Sequence, residues 1–254
     1  MFVKLSDIVH YTDKLLRCAE VKDWSGAKNG LQLENDGQIT RLGAAVDSHI
    51  GVIEEAVNRG VDLLLVHHGL YWSDVTPVTG ANYRKLRLAM NHNLALYGAH
   101  LPLDLHPKLG NNALLSKALG LTPAKGKPFF FEKEQFIGFK YETKFTRDSL
   151  ATKLTQVLGH APTILPHGPE KIRKLGIVTG GAGGDLAKAA AEGIDTFITG
   201  EGPNHSFGQA RELGLNVFYG GHYATETFGV KALANQLSDH FQIPWQFIDV
   251  PTGL

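Results

Sequence analysis

The run Val61-Asp62-Leu63-Leu64-Leu65-Val66 is apolar without polar alternation and ends on His67-His68-Gly69. A strand with no polar face must be buried on both sides, and such strands belong to parallel sheets covered by helices. Parallel neighbours need crossover connections, so this one run already favours a chain in which strands alternate with helices. The flanking pattern agrees. Leu42 to Val46 reads as a second buried strand, and a helix from about His49 to Asn58 is stopped by Gly60. A helix near Arg84 to Asn91 then leads to a short strand, Leu94 to Tyr97. At the start, Leu5, Ile8, Val9, Thr12, Leu15 and Leu16 recur at three- and four-residue spacing, which predicts an amphipathic helix.

From Leu175 the same rhythm returns: strand 175–178, the loop Gly180-Gly181-Ala182-Gly183-Gly184, helix 185–192, strand 194–199, helix 205–212 and strand 217–219. A long helix of about 225–238 and a strand 245–250 follow. The two stretches look like copies. Residues 56–69 align without gaps on 189–202, matching Gly60 to Gly193, Asp62 to Asp195 and Gly69 to Gly202. Tyr97-Gly98-Ala99-His100 with Asp104 likewise aligns on Tyr219-Gly220-Gly221-His222 with Glu226. The expectation is an α/β chain of two domains of related topology, 1–121 and 170–254, arising by internal duplication. Residues 122–169, with Phe129-Phe130-Phe131, a strand 136–141 and a helix 146–158, read as a connecting insert.

Charge and cysteine content narrow the chemistry. The 254 residues carry 25 Lys and Arg against 25 Asp and Glu, so the global basic field that holds nucleic acid is absent. The longest apolar runs, such as Leu63 to Val66, fall far short of the ~20 residues that span a bilayer. Asp7 stands where a secretion signal would be apolar, and the cytoplasm is the expected location. One cysteine, Cys18, excludes thiolate-rich zinc and iron–sulfur sites, so any metal needs nitrogen and oxygen ligands. The twelve histidines supply the nitrogen.

Loops beyond the carboxyl ends of parallel strands are where ligands bind in such sheets. His67, His68, His100 with Asp104, and His222 with Glu226 all fall there. Four imidazoles and two carboxylates suit two divalent cations. His222 and Glu226 share one face if the first turn of a helix lies there, whereas Pro102 favours an extended loop before Asp104. His205, after Gly200-Glu201-Gly202-Pro203-Asn204, reads either as a neighbour of a helix cap or as a proton-transfer group. The Gly180–Gly184 loop reads either as a tight turn or as a phosphate cradle, the turn being favoured because no Lys-Ser/Thr follows it.

His67-His68-Gly69, His100-Leu101-Pro102-Leu103-Asp104, Ile198-Thr199-Gly200-Glu201, Gly221-His222-Tyr223-Ala224-Thr225-Glu226 and Asn29-Gly30-Leu31-Gln32 together resemble the GTP cyclohydrolase I type 2 homologues, the NIF-three-like dinuclear-metal proteins. The resemblance runs in order over nearly the whole chain. It implies a hexameric ring with metal pairs facing a central cavity, ligands at His67, His68, Asp104, His222 and Glu226, and His100 at the same site. Some relatives are described as partners of transcription regulators.

Two divalent cations bring four positive charges and the two carboxylates return two negative ones, so such a site attracts anions. Zinc, iron and manganese all suit the donors. Bound water acidified by the ions makes hydrolysis of a nucleotide or phosphate-bearing substrate the leading expectation, with His205 or His100 as proton shuttle and Glu201 as a further acid–base candidate. The competing expectation is a non-catalytic hexameric scaffold that stores or delivers metal, or docks a partner protein.

Overall fold

A computed structural model describes residues 2–72 and 77–253. The chain forms two compact units: Met1–His106 with Gly229–Val250, and Pro107–Phe228 with Pro251–Leu254.

The first unit opens with β1 (Val3–Lys4) and α1 (Leu5–Leu16), whose Leu5, Ile8, Thr12 and Leu16 are buried at the predicted spacing. β2 (Gly30–Leu33), β3 (Gln38–Ile39), β4 (Leu42–Ala45), α2 (Ile50–Asn58), β5 (Leu63–Val66), α3 (Gly80–Asn91), β6 (Ala95–Gly98) and a single helical turn, α4 (Leu101–Asp104), follow. All four residues of β5 are buried, as its unalternated run predicts. Val52, Ile53 and Ala56 of α2 pack with Leu64, Val66 and Leu96 on one face of the sheet. Asp104 does not follow an extended loop. Pro102 lies in the first turn of α4, where its missing N–H is one that a helix start leaves unused anyway.

The second unit holds α5 (Asn111–Ala118), β7 (Lys127–Glu132), β8 (Gln135–Glu142), α6 (Arg147–Leu158), β9 (Thr163–Pro166), β10 (Lys174–Ile177), α7 (Leu186–Ala191), β11 (Thr196–Thr199), α8 (Ser206–Leu213) and β12 (Asn216–Tyr219). It also holds the first turns of α9 (His222–Phe241). The later turns of α9 and β13 (Trp245–Phe247) belong to the first unit, because β13 pairs in parallel with β4. The boundaries therefore fall at 106 and 228, not at 121 and 170. Residues 122–169 do not stand apart: β7, β8 and β9 are all strands of the second sheet.

The strand orders support duplication. The first sheet runs β13-β4-β5-β6-β2, with β4, β5 and β6 parallel and β2 antiparallel at the edge. The second runs β7-β8-β10-β11-β12-β9, with β10, β11 and β12 parallel and β9 antiparallel at the edge. In both, the antiparallel edge strand, β2 or β9, precedes the three parallel strands in the chain, and these follow in spatial order toward it; β7 and β8 extend the other side of the second sheet. The aligned residues also do the same work. Gly60 and Gly193 both take positive φ, 65° and 75°. A carboxylate oxygen of Asp62 accepts from the main-chain N–H groups of Thr40 and Arg41 at 2.7 and 3.0 Å, and one of Asp195 from Arg173 and Lys174 at 2.9 and 3.1 Å.

Candidate functional site

In the first unit, main-chain bonds seat the histidine pair at the carboxyl end of the sheet: the N–H groups of His67 and His68 both donate to Val46 C=O, at 3.0 and 2.7 Å. The side chains are then fixed one by one. His67, 1% exposed, directs Nδ1 at Ala99 C=O, 2.9 Å away. His68 directs Nδ1 at Asp47, 2.8 Å away. His100 directs Nδ1 at both oxygens of Asp23, at 2.9 and 3.1 Å. An imidazole that donates through Nδ1 carries its lone pair on Nε2, and this outer arrangement is the usual support of a metal-ligating histidine. Ligand atoms of His67, His68 and His100 lie within 4.8 Å of one another. The carboxylate of Asp104, buried on α4, lies 3.5 Å from His67 Nε2.

Asp23 is the keystone of the His100 side. Besides the ring, its carboxylate accepts from Asn29 Nδ2 at 2.9 Å, Leu101 N–H at 3.0 Å and Trp24 N–H at 2.8 Å. Burial alone would push its pKa up, but the His100 hydrogen bond and charge, with Asn29 and Trp24, outweigh it and hold the carboxyl below the usual range. Asn29 Oδ1 in turn accepts from His100 N–H at 2.8 Å. Trp24 and Trp72 flank the same ring, with centroids 5.5 and 4.8 Å from His100.

In the second unit, α9 begins three residues before the predicted start, because Thr225 N–H closes its first turn on Gly221 C=O at 3.0 Å. His222 and Glu226 are therefore one helical turn apart on one face, with His222 Nε2 3.1 Å from Glu226 Oε2. Glu226 is 3% exposed. Glu201 takes His222 Nδ1 at 2.9 Å, so the fourth imidazole is held like the other three. In the aligned copies Glu201 occupies the place of His68, and a supporting carboxylate stands where the first copy has a ligand candidate.

The glycine loop packs beneath this pair. Gly180 takes φ 73°, and a Cβ there would overlap Glu226 Oε1. Gly180 N–H donates to Thr225 Oγ1 at 3.1 Å, Ala182 N–H to Thr199 Oγ1 at 3.2 Å and Gly183 N–H to Glu201 C=O at 3.0 Å. With these amides engaged inside the protein, the loop is a tight turn rather than a phosphate cradle.

A cavity of about 570 Å³ lies beside Glu201, walled by Ser206, Phe207 and Tyr219. Tyr219 OH donates to Ser206 Oγ at 2.7 Å. His205 is exposed at the N-cap of α8 and makes no side-chain bond to that helix. The structure thus joins Glu201 to a ligand candidate and leaves His205 at the surface. Asp23 and Asp47 are absent from the reading of the sequence. Their signal is weak: isolated aspartates in loops, with no spacing that ties them to a histidine.

The family model of Duf34/NIF3 (NGG1p interacting factor 3) matches residues 3–252. A protein of Deinococcus radiodurans named GTP cyclohydrolase 1 type 2 homolog is 39% identical over 250 residues, covering 98% of this chain and 94% of that one. A Halobacterium salinarum protein of the same name is 38% identical, covering 98% and 99%. Among solved structures, TTHA1606 from Thermus thermophilus matches with TM-score 0.91 and 36% identity over 99% of this chain and all of that one. Reduced HcgD from Methanocaldococcus jannaschii matches with TM-score 0.86 and 28% identity, covering 98% and 99%.

Proposed function

The chain belongs to the Duf34/NIF3 family, and on that premise we propose that it binds two divalent metal ions through His67, His68, Asp104, His222 and Glu226, with His100 as a further ligand, and hydrolyses a nucleotide or other phosphate-bearing substrate. One observation carries the metal reading. All four imidazoles have Nδ1 at an acceptor, Ala99 C=O, Asp47, Asp23 or Glu201, and so present Nε2 as the ligating atom. Nitrogen and carboxylate donors without thiolate fit zinc, iron or manganese.

Such ions supply Lewis acidity toward an anionic or carbonyl oxygen and activate water as a nucleophile. The protein's own groups orient and move protons. Glu201 holds His222 with one oxygen, and with 46% of its side chain exposed beside the 570 Å³ cavity it can take up or return a proton there. His205 is the second proton-transfer candidate. Opening of a purine ring, as the relatives' name suggests, is one form of this chemistry. The proposal includes a homohexamer in the cytoplasm; among the described residues no helix is long and apolar enough to cross a membrane.

A second reading is a hexameric scaffold that carries metal, or docks a partner protein, without turnover. It is favoured by the surface position of His205, which leaves Glu201 as the one acid–base candidate that the structure ties to a proposed ligand. The experiment is elemental analysis of protein purified without added metal, as wild type and as His67→Ala, Asp104→Ala and Glu226→Ala, beside a screen of nucleotide and phosphoester hydrolysis. About two ions per chain with metal-dependent turnover supports the enzyme. Full occupancy with every substrate inert supports the scaffold. Metal content unaffected by all three substitutions defeats both.

A further inference from the structure

The second unit contains a cavity of about 550 Å³ in which four lysines and two glutamates converge: Lys125, Lys127, Lys140, Lys174, Glu142 and Glu192. It lies at the amino end of β10, where Lys174 begins the strand, whereas His222 and Glu226 follow the carboxyl end of β12 in the same sheet. It is therefore separate from that proposed ligand pair of the second unit.

Strand register builds the cluster. Lys127 of β7 is directly opposite Lys140 of β8, and Lys174 of β10 is directly opposite Glu142 of β8. Opposed residues share a face, and so do Lys140 and Glu142 two apart, so all four project from one side of the sheet. A lysine directly opposite a lysine is a destabilising cross-strand pair. Among the described residues, Lys140 is ion-paired, to Glu192 at 3.0 Å, while Lys125, Lys127 and Lys174 have no carboxylate within ion-pair distance. Four ammonium groups against two carboxylates leave a net positive cavity in a chain whose overall charge is zero.

One cation is also preorganised. Lys140 Nζ is held by the Glu192 carboxylate and, at 3.3 Å, by Glu192 C=O, and Glu192 Oε1 accepts from Phe130 N–H at 2.7 Å. Phe130 reaches that bond with φ at 63°, a conformation that aromatic residues rarely adopt and that persists only where the surroundings enforce it.

We propose that this cavity is a second ligand site, for a compact polyanion carrying two or more phosphate or carboxylate groups. Its volume is that of a small-molecule pocket. Glu142 and Glu192 limit how far a phosphate chain could extend, which favours a small ligand over nucleic acid.

The test is calorimetric titration of the full chain, stripped of metal on a chelating resin, with pyrophosphate and separately with citrate. The two arms distinguish phosphate from carboxylate recognition. Binding by at least one anion is expected, weakened at least about tenfold by Lys127→Ala and by Lys174→Ala, and unchanged by Lys14→Ala, a substitution at an exposed lysine of α1. His222→Ala is also expected to leave it unchanged, so failure of the metal reading leaves this result standing. Without ligand, Lys127→Ala should raise Tm by removing the like-charge pair, which shows that the variant folds. The proposal is overturned if neither anion binds, if Lys127→Ala and Lys174→Ala bind as the wild type does, if Lys14→Ala loses as much affinity, or if an oligonucleotide binds where both small anions fail.

Discussion

His100 Nδ1 stands 2.9 Å from a carboxylate oxygen of Asp23, a residue 77 positions earlier in the chain. The contact fixes both the ring's tautomer and its direction, while the same carboxylate ties down the loop that carries Trp24. Losing such a support without touching a ligand commonly lowers metal affinity ten- to a hundredfold. Asp23→Ala should therefore weaken metal binding by about that factor, read by titration against a competing chelator, while Asp23→Asn, which can still accept a hydrogen bond, loses less. Identical affinity in Asp23→Ala and wild type would remove His100 from the ligand set.

The glycine loop offers a matched pair of substitutions. Gly180 has positive φ and no room beside Glu226, whereas Gly181 has φ −94° and would place a Cβ 3.5 Å from the nearest His222 atom. Gly180→Ala should cost on the order of 1–2 kcal/mol in strain and displace Glu226, with loss of metal. Gly181→Ala should retain wild-type metal content and a nearly unchanged urea midpoint. Equal behaviour of the two variants would contradict the packing of the loop against Glu226.

Asp62 and Asp195 each satisfy main-chain amides at the start of the preceding parallel strand. Replacing either by Ala leaves those donors to solvent or unsatisfied, at a cost of about 1–3 kcal/mol. Denaturant unfolding of Asp62→Ala and Asp195→Ala should show similar losses if the two copies use this residue in the same way. A large effect in one and none in the other would limit the functional equivalence of the repeat.

Acid stability should report on Glu132. Its hydrogen bond to Lys188 lowers the carboxyl pKa, burial opposes that shift, and the net direction is down. A carboxyl whose folded pKa lies below its unfolded value contributes stability above the unfolded pKa, near 4.3, and loses it as pH falls through the folded one. Unfolding free energy measured from about pH 6 down to about pH 3 should decline less steeply in Lys188→Gln than in wild type. An unaltered slope would show that the pair contributes nothing to acid sensitivity.

Much of this architecture is visible in the primary structure, and for identifiable reasons. β5 is legible because burial on both faces strips polar residues from the run Leu63 to Val66. The duplication is legible because Gly60 and Gly193 need positive φ and Asp62 and Asp195 need a carboxylate, so the same types recur at the same spacing. Asp23 and Asp47 escape notice because their partners His100 and His68 are 77 and 21 residues away, separations with no periodic signature. The turn at Leu101–Asp104 is misread because Pro102 excludes a helix interior but not a helix start. The union of residues 229–250 with the first unit escapes because nothing local marks β13 as the partner of β4.

That last pairing bears on how the molecule is made. Trp245 adjoins Leu42, so the five-stranded sheet begun by the earliest parallel strand is finished by a segment synthesised some two hundred residues later. All six strands of the other sheet lie between residues 127 and 219, and that sheet can close before β13 leaves the ribosome. During translation the sheet started first is completed last, and an N-terminal fragment ending at residue 121 would expose the β4 edge that β13 covers.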